Sequence, residues 1–179
     1  MMAAAITNGD VLINNCRLDH LMAVVDRLRA IGVNVERKGD AVQVSSSRRL
    51  EPVSVTTQPY PGFPTDLQAQ IMALLALADG NSIITEKIFP DRFVHVAELN
   101  RMGARLRKEG PTVIVEGVKN LVGAPVMASD LRASAALVVA ALVAKGKTKI
   151  SRVYHIDRGY ERIEQRLAAI GAEIQRVPE

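Results

Sequence analysis

The chain has 179 residues, of which 48% are hydrophobic, enough for one globular domain with a substantial core. Its start, MMAAAITNGD, lacks the regions of a signal peptide and no apolar run reaches membrane-spanning length, so we expect a cytoplasmic protein without membrane contact. The net charge of +4 with only 3% aromatic residues favours small anionic ligands over nucleic acid. A single cysteine, Cys16, and three scattered histidines (His20, His95 and His155) exclude an internal disulfide framework and argue against a metal site.

Three segments of the sequence repeat the same order of elements. In each segment an amphipathic helix pattern ends at a glycine, which suits a left-handed helix cap, and a short alternating strand follows. Upstream of each helix a further glycine opens a β-rich run. The helix-ending glycines are Gly32, Gly103 and Gly171, and the upstream glycines are Gly9, Gly80 and Gly146. The paired glycines are 23, 23 and 25 residues apart, which indicates three copies of one structural unit.

Two segments, LQAQIMALLALADG and LRASAALVVAALVAKG, are apolar on nearly all sides and are predicted as buried central helices. Hairpin strands are predicted in VNVERKGDAVQVSS and GPTVIVEGV. The predicted fold class is α/β (α+β), a single domain of β-α-β-α-β-β units at about 1–56, 57–116 and 117–179, with sheets outside and pseudo-threefold symmetry. The first unit starts inside its helix and the third stops one strand after Gly171, so both ends are interpreted as truncated.

The stretch PYPGFPTDLQAQ, residues 59–70, places an acid between a proline-rich turn and a buried helix. Thr65 and Gln68 fit a capping box, which would put Asp66 in the first helical turn. There the helix dipole would stabilise its negative charge by roughly 0.3–1 kcal/mol. Asp66 is either a favourable first-turn residue and nothing more, or a functional acid that the rigid turn holds in place.

The equivalent stretch of the third unit, SDLR at residues 129–132, puts Arg132 where the second unit has Gln68. A cation at the positive end of a helix breaks a local rule, and such breaks are expected where function lies. One interpretation is an anion clamp, in which helix N–H groups and the guanidinium bind a phosphate or carboxylate. The other is a structural interaction between Asp130 and Arg132, or an arginine that simply faces solvent.

Two position-matched Asp-Arg pairs lie eleven residues after the shared glycines, Asp91-Arg92 and Asp157-Arg158. The aspartates are interpreted as repeated structural caps, whereas the arginines are the better candidates for a ligand site. Cys16 follows a predicted strand without a histidine or cationic cluster beside it in sequence. It is interpreted as a small buried hydrophobic residue rather than as a nucleophile.

Together, the motifs PGFPTDLQAQ, SDLRAS and YHIDRGYERIEQRLAAIGA resemble the carboxy-terminal half of the UDP-N-acetylglucosamine 1-carboxyvinyltransferases, in the enolpyruvyl transferase family. The similarity runs from AAAITNGDV to IQRV. The resemblance implies an inside-out α/β barrel fold with two domains of three repeats each and an active site between them. It also implies that this chain is the carboxy-terminal portion of such an enzyme.

The activity implied by the resemblance is transfer of the enolpyruvyl group of phosphoenolpyruvate to the 3'-hydroxyl of UDP-N-acetylglucosamine, with release of phosphate. This reaction commits the sugar nucleotide to peptidoglycan, and hence to cell wall synthesis, cell shape and cell division. Asp66 matches the family's general base, and Asp130 matches a carboxylate beside the reacting carbon. Arg132 and Arg158 match arginines near phosphoenolpyruvate.

Substrate binding is implied for Asp66, Ile88, Phe89 and Arg92, where Ile88 matches a position whose backbone contacts the sugar nucleotide. No metal and no organic cofactor are implied. The family's acid-catalyst cysteine belongs to a part absent from this chain, and Cys16 does not lie in a matching segment. The chain alone is therefore expected to be inactive.

The resemblance implies the missing amino-terminal half of the enzyme as a partner, and the truncated sheet edges suggest self-association. Two alternatives stay open. One is the same fold with another acceptor, such as shikimate 3-phosphate. The other is a non-catalytic binding module that keeps the fold without the chemistry.

Overall fold

The computed structural model of the chain describes residues 1–47 and 49–177. The helices are α1 (Met2–Ile6), α2 (Met22–Ile31), α3 (Gln68–Leu75), α4 (His95–Arg101), α5 (Leu131–Ala141), α6 (Tyr154–Asp157) and α7 (Ile163–Ala168). The strands are β1 (Asp10–Ile13), β2 (Asn34–Lys38), β3 (Ala41–Ser45), β4 (Ser54–Thr56), β5 (Asn81–Thr85), β6 (Arg105–Glu109), β7 (Thr112–Glu116), β8 (Pro125–Met127) and β9 (Lys149–Ser151). Two short 3-10 turns, Leu18–Leu21 and Thr65–Leu67, directly precede α2 and α3.

Three central helices, α1, α3 and α5, pack against one another. Every residue of α3 is buried, and α5 is buried from Ala133 to Ala140. These helices are rich in small and apolar residues, which lets them remove apolar surface from water on all sides. The two predicted buried helices are confirmed, and the five-residue α1 takes the third central position.

Three sheets surround these helices. One is antiparallel with strand order β1-β3-β2, one has the order β4-β5-β7-β6 with β4 parallel to β5, and one is the parallel pair β8-β9. Alternate residues of β5 and β7 are buried, so their sheet turns one face to the helices and the other to solvent. The second unit runs β4-α3-β5-α4-β6-β7, which matches the predicted β-α-β-α-β-β order.

Two features of the strands differ from the sequence-based expectation. β4 and β8 have only three residues each, too few to show a readable alternation, and the sequence did not locate them. The strand predicted after Gly171 is wrong, because residues 172–177 form no strand. Its counterparts β2 and β6 each pair with the hairpin strand that follows. Among the described residues no strand lies beside 172–177 to exchange hydrogen bonds with it, and the barrel-like arrangement is not closed.

The glycines that follow the amphipathic helices have the same left-handed backbone conformation in all three units. Their φ angles are 97° at Gly32, 86° at Gly103 and 102° at Gly171. A residue with a Cβ atom adopts such angles only with strain, which explains why glycine recurs at this point. The predicted helix ends are therefore confirmed.

No helix in the described part of the chain is long and apolar enough to cross a membrane. Cys16 is half-buried and packs against the hydrophobic core. Its backbone N–H donates to the carbonyl of Asp40 at 3.1 Å. These contacts agree with the interpretation of Cys16 as a packing residue.

A histidine lies buried at the start of α4. Only 1% of the surface of His95 is exposed, and its ring centroid lies 6.2 Å from that of Phe93. Burial lowers the pKa of the imidazole from 6.5 to about 4, although the negative charge of Asp130 acts in the opposite direction. Within residues 1–47 and 49–177, Nε2 of His95 has no hydrogen-bond partner. The ring is therefore neutral in the folded chain at neutral pH.

His95 is expected to make the fold sensitive to mild acid. Because its pKa is lower in the folded chain than in the unfolded chain, stability is lost as the pH falls from 6.5 towards 4. This residue alone should lower the free energy of unfolding by about 2 kcal/mol between about pH 7 and pH 5. In urea titrations His95→Leu should remove that part of the loss, whereas His20→Gln, at an exposed site, should retain it. An undiminished loss in His95→Leu would contradict the assignment.

Candidate active site

The proline-rich stretch before α3 forms a turn that backbone hydrogen bonds close. The N–H of Gln58 donates to the carbonyl of Phe63 at 2.9 Å, and the N–H of Gly62 donates to the carbonyl of Pro59 at 2.8 Å. The Phe63 side chain is buried in the core. Because prolines restrict φ and both ends of the turn are tied down, Asp66 is presented from a stiff segment.

The capping box predicted for Thr65 and Gln68 is wrong. Residues 65–67 form a 3-10 turn, α3 begins at Gln68, and neither helical segment has a side-chain cap. The Thr65 hydroxyl donates instead to Oε2 of Glu86 at 2.9 Å, because a carboxylate attracts it more strongly than a backbone group does. The Gln68 side chain is buried, and its amide atoms have no partner in the described part of the chain. Asp66 therefore lies just before α3 rather than in its first turn.

Two guanidinium groups converge on Asp66. Nε of Arg132 hydrogen-bonds to Oδ1 of Asp66, and Nη1 of Arg92 lies 3.5 Å from the same oxygen. The side chain of Asp66 is 60% exposed, so a ligand can reach it. No hydrogen bond to Oδ2 of Asp66 is present among the described residues, so that oxygen can accept one from a ligand. Residues that are far apart in sequence thus form one charged cluster where the second and third units meet.

Arg92 is held on three sides. Its Nη1 donates to the Thr65 hydroxyl at 3.0 Å in addition to the ion pair with Asp66. Its guanidinium carbon lies 3.8 Å above the centre of the Phe89 ring, a cation–π contact. Only 22% of the Arg92 side chain is exposed. Arg92 is therefore a fixed part of the cluster rather than a mobile surface arginine.

Asp130 caps α5. Its Oδ1 accepts hydrogen bonds from the backbone N–H of Arg132 at 2.8 Å and of Ala133 at 2.9 Å. The side chain of Arg132 turns away from this cap towards Asp66, and that hydrogen bond raises the pKa of Arg132. Asp130 and Arg132 do interact, as one interpretation of the sequence held, but through the Arg132 backbone. The Arg132 side chain is 35% exposed, and its guanidinium lies beside Asp66.

The caps predicted at Asp91 and Asp157 are wrong, because neither α4 nor α7 has a side-chain cap. Asp91 is fully exposed and lies 3.6 Å from the ammonium of Lys108. Asp157 accepts two hydrogen bonds from Arg176, at 3.0 and 2.6 Å, which lower the pKa of this carboxyl. Both carboxylates therefore interact with long basic side chains instead of capping the backbone N–H groups of a helix.

Arg158 follows α6 and is exposed, and its side chain has no hydrogen bond or ion pair to the residues that the structure describes. Its backbone neighbour Gly159 packs tightly on the start of α5. A Cβ atom at Gly159 would lie 2.7 Å from the Leu131 side chain, which would then have to shift. Arg158 is thus placed near the Arg132 end of α5 but does not join the Asp66 cluster.

Glu86 follows β5 and was missed by the sequence analysis. Its carboxylate accepts hydrogen bonds from the hydroxyls of Thr57 (2.6 Å) and Thr65 (2.9 Å) and from the N–H groups of Ile88 (2.8 Å) and Phe89 (3.0 Å). Burial raises its pKa, but these hydrogen bonds outweigh burial and lower the pKa below the ordinary 4.5. The only signal was a glutamate at the end of an alternating strand, ITE, where a buried polar residue needs partners.

Comparisons with known proteins identify the class of protein to which this fold belongs. The chain belongs to the EPSP synthase (3-phosphoshikimate 1-carboxyvinyltransferase) family, whose model matches residues 1–167. The expected enolpyruvyl transferase fold is confirmed by solved structures. The enolpyruvyl transferase NikO from Streptomyces tendae has a TM-score of 0.88 at 29% identity, over 97% of this chain and 42% of its own. EPSP synthase from Acinetobacter baumannii has a TM-score of 0.72 at 18% identity, over 98% of this chain and 41% of its own. At that identity the match shows the fold alone.

More similar relatives are curated as UDP-N-acetylglucosamine 1-carboxyvinyltransferase. The protein from Novosphingobium aromaticivorans is 54% identical over 175 residues, which are 98% of this chain and 41% of the relative. The protein from Geotalea uraniireducens is 55% identical over 179 residues, 100% of this chain and 43% of the relative. The chain therefore spans less than half the length of the curated relatives it matches, and the resemblance seen in the sequence motifs is confirmed.

Proposed function

We propose that this chain forms one wall of the active site of a UDP-N-acetylglucosamine 1-carboxyvinyltransferase. The observation that carries the proposal is the exposed Asp66 carboxylate on its stiff turn, flanked by the guanidiniums of Arg92 and Arg132. One acid and two cations suit a reaction between a hydroxyl group and a substrate with both a phosphate and a carboxylate. The high identity to relatives with that name favours this acceptor over others.

In the proposed reaction the 3'-oxygen of UDP-N-acetylglucosamine bonds to C2 of phosphoenolpyruvate while C3 gains a proton. The resulting tetrahedral intermediate loses phosphate from C2 and a proton from C3, which restores the double bond. Asp66 takes the proton of the 3'-hydroxyl as general base. The stiff turn and the guanidiniums of Arg92 and Arg132 hold the carboxylate in place, and positioning is its main proposed contribution.

Arg132 is proposed to exchange partners during substrate binding. In the free chain its guanidinium binds Asp66. A phosphate or carboxylate of phosphoenolpyruvate can accept two parallel hydrogen bonds from the guanidinium and thus compete with Asp66. The exchange would place the anionic substrate beside the base and free Asp66 for the hydroxyl.

Asp130 and Arg158 complete the proposed phosphoenolpyruvate side. Asp130 fixes the first turn of α5, and with it the Arg132 backbone. In the proposed complex this turn lies close to the reacting carbon. Arg158 is exposed and, in the described part of the chain, not engaged, so it can turn towards a bound anion. The pair therefore supplies one fixed and one mobile charged group.

Ile88 and Phe89 form the proposed sugar-nucleotide side, together with Asp66 and Arg92. The Phe89 side chain is 49% exposed although its ring holds Arg92, which leaves apolar surface for the ligand. Ile88 lies in the turn whose amides Glu86 binds. The proposed cellular setting is the cytoplasm, in peptidoglycan synthesis.

Calorimetry distinguishes this function from the two alternatives. We expect the chain to bind UDP-N-acetylglucosamine weakly and in a way that Asp66→Ala abolishes. Preferential binding of shikimate 3-phosphate, the acceptor in the family's printed name, would support the same fold with another acceptor. No binding of either acceptor, even after the remaining part of the enzyme is added, would support a non-catalytic module.

The remaining part of the enzyme is the proposed partner, and β9 offers it an open edge. In the second sheet β5 pairs with β4 on one side and with β7 on the other, whereas in the described part of the chain β9 pairs with β8 alone. The N–H of Lys149 and the carbonyl of Ser151 hydrogen-bond towards the β8 side. Because strand residues alternate, the N–H and carbonyl of Ile150 point to the open edge. Without the partner this edge would favour self-association.

Ile150→Pro is expected to weaken binding of the remaining part of the enzyme by about tenfold. Proline removes the N–H at the open edge and leaves the hydrogen bonds between β8 and β9 in place. The measurement is the dissociation constant between this chain and the uncovered segment of the Novosphingobium aromaticivorans relative. Ile150→Val keeps the N–H and should bind as the original chain does. Equal affinities for the Pro and Val variants would contradict pairing at this edge.

A further inference from the structure

A buried carboxylate, that of Glu86, lies next to the charged cluster and is not one of the proposed substrate ligands. Glu86 has 0% of its surface exposed. Its four hydrogen-bond donors are two hydroxyls and two backbone amides, all of them uncharged. A buried carboxylate is costly unless its oxygens are hydrogen-bonded, and these four donors supply the hydrogen bonds that make burial of Glu86 possible.

Its two oxygens join two separate segments. Oε1 accepts from the Thr57 hydroxyl and from the amides of Ile88 and Phe89, in the turn after β5. Oε2 accepts from Thr65, the residue directly before Asp66. Each segment carries part of the proposed sugar-nucleotide side. One carboxylate thus fixes the distance between the base and the turn that the ligand would contact.

Glu86 also sets the direction of a hydrogen-bond chain. The Thr65 hydroxyl has a single proton, which it donates to Oε2 of Glu86. Its lone pairs are then free to accept from Nη1 of Arg92, which lies 3.0 Å away and pairs with Asp66. A group that donated to Thr65 would occupy one of the two lone pairs of this hydroxyl and turn its proton away from residue 86, which would disturb the hydrogen bond from Arg92.

We propose that Glu86 is a positioning residue for the acceptor half of the site: it holds the Asp66 turn and the 88–89 turn in one arrangement and orients Thr65 to retain Arg92. This inference rests on the proposed function. It predicts that Glu86 affects recognition of the sugar nucleotide and has little effect on phosphoenolpyruvate, whose proposed ligands Arg132 and Arg158 do not contact it.

Glu86→Gln is the sharpest test, because it keeps size and shape and changes one acceptor oxygen into a donor. The three donors at Oε1 require the amide oxygen of the glutamine there, so its NH₂ must face Thr65. In this chain combined with the remaining part of the relative, we expect KM for UDP-N-acetylglucosamine to rise about tenfold or more. KM for phosphoenolpyruvate should stay within about twofold.

The matched control is Glu98→Gln. Glu98 is also a largely buried carboxylate, 14% exposed, that accepts a backbone hydrogen bond, from Met127 at 3.1 Å, but it lies outside the proposed site. Glu98→Gln should leave both KM values unchanged. If Glu86→Gln raises both KM values equally, or neither, Glu86 is only a structural residue and the proposal is wrong.

Two Thr65 variants keep the test decisive if Glu86→Gln fails to fold. Thr65→Ser retains the hydroxyl and should behave as the original chain, whereas Thr65→Val should raise KM for the sugar nucleotide alone. Amide hydrogen exchange in this chain without ligand provides a readout independent of activity. Exchange at Ile88 and Phe89 should speed up about tenfold in Glu86→Gln, because a neutral amide oxygen accepts from their N–H groups more weakly than the carboxylate does. It should stay unchanged in Thr65→Val. Unchanged exchange in Glu86→Gln would overturn the proposal. If exchange changes as expected but the sugar nucleotide does not bind, the proposed function is wrong instead.

Discussion

Asp66→Asn is expected to lower the turnover of the combined enzyme by about 10²- to 10⁴-fold, the usual contribution of a general base. Asparagine cannot take the proton of the 3'-hydroxyl. Its amide oxygen can still face the guanidiniums of Arg92 and Arg132, because both of them contact the same single oxygen of the carboxylate. Turnover should therefore fall much more than the affinity for either substrate. The measurements are kcat and the KM of each substrate, determined by varying one substrate while the other is saturating.

Asp91→Asn provides the matched control for Asp66. Asp91 directly precedes Arg92 in sequence, but its side chain is fully exposed and forms an ion pair with the ammonium of Lys108, at 3.6 Å. Its replacement should change turnover by less than about twofold, because exposed ion pairs contribute little. If Asp66→Asn retains turnover to within the same factor as Asp91→Asn, Asp66 is not the base.

Arg132→Lys is expected to lower kcat/KM for phosphoenolpyruvate by about 10²- to 10³-fold. Lysine keeps the charge but loses the planar fork that binds a phosphate or carboxylate with two parallel hydrogen bonds. The cap of α5 is retained, because Asp130 accepts from the backbone N–H at position 132 and not from the side chain. The loss should therefore appear without a change in the free energy of unfolding.

Arg101→Lys serves as the control for Arg132. Arg101 lies on α4, is 59% exposed and contacts Glu98 at 3.8 Å, away from the charged cluster. It should leave kcat/KM unchanged. If Arg132→Lys leaves kcat/KM for phosphoenolpyruvate unchanged, Arg132 only balances the charge of Asp66 in the free chain and does not bind the anionic substrate.

The repeat architecture could be predicted from the sequence because its signals are local. Glycine at a left-handed helix cap and continuous apolarity of a buried helix are decided by a few neighbouring residues, and both recur at fixed spacing. The prediction of a strand after Gly171 was wrong for a related reason. Its alternation is as good as that of β2, but a strand also needs a partner, and sequence pattern alone does not contain one.

The cluster itself was only half predictable. Asp66, Arg92 and Arg132 were each singled out by a local rule, such as an arginine at the positive end of a helix. Their convergence depends on how α3 and α5 pack, which brings the beginnings of the two helices together. The capping box at Thr65 failed because Glu86, 21 residues further on, competes for the same hydroxyl. No local rule predicts such a contact.

The most direct test of the central claim is phosphate release from phosphoenolpyruvate and UDP-N-acetylglucosamine. It should be measured with this chain alone, with the uncovered segment of the Novosphingobium aromaticivorans relative alone, and with the two combined. We expect release only in the combination, dependent on the sugar nucleotide and abolished by Asp66→Ala. A combination that forms a complex yet releases no phosphate, or that remains active with Asp66→Ala, would contradict the assignment of this chain as the wall that carries the base.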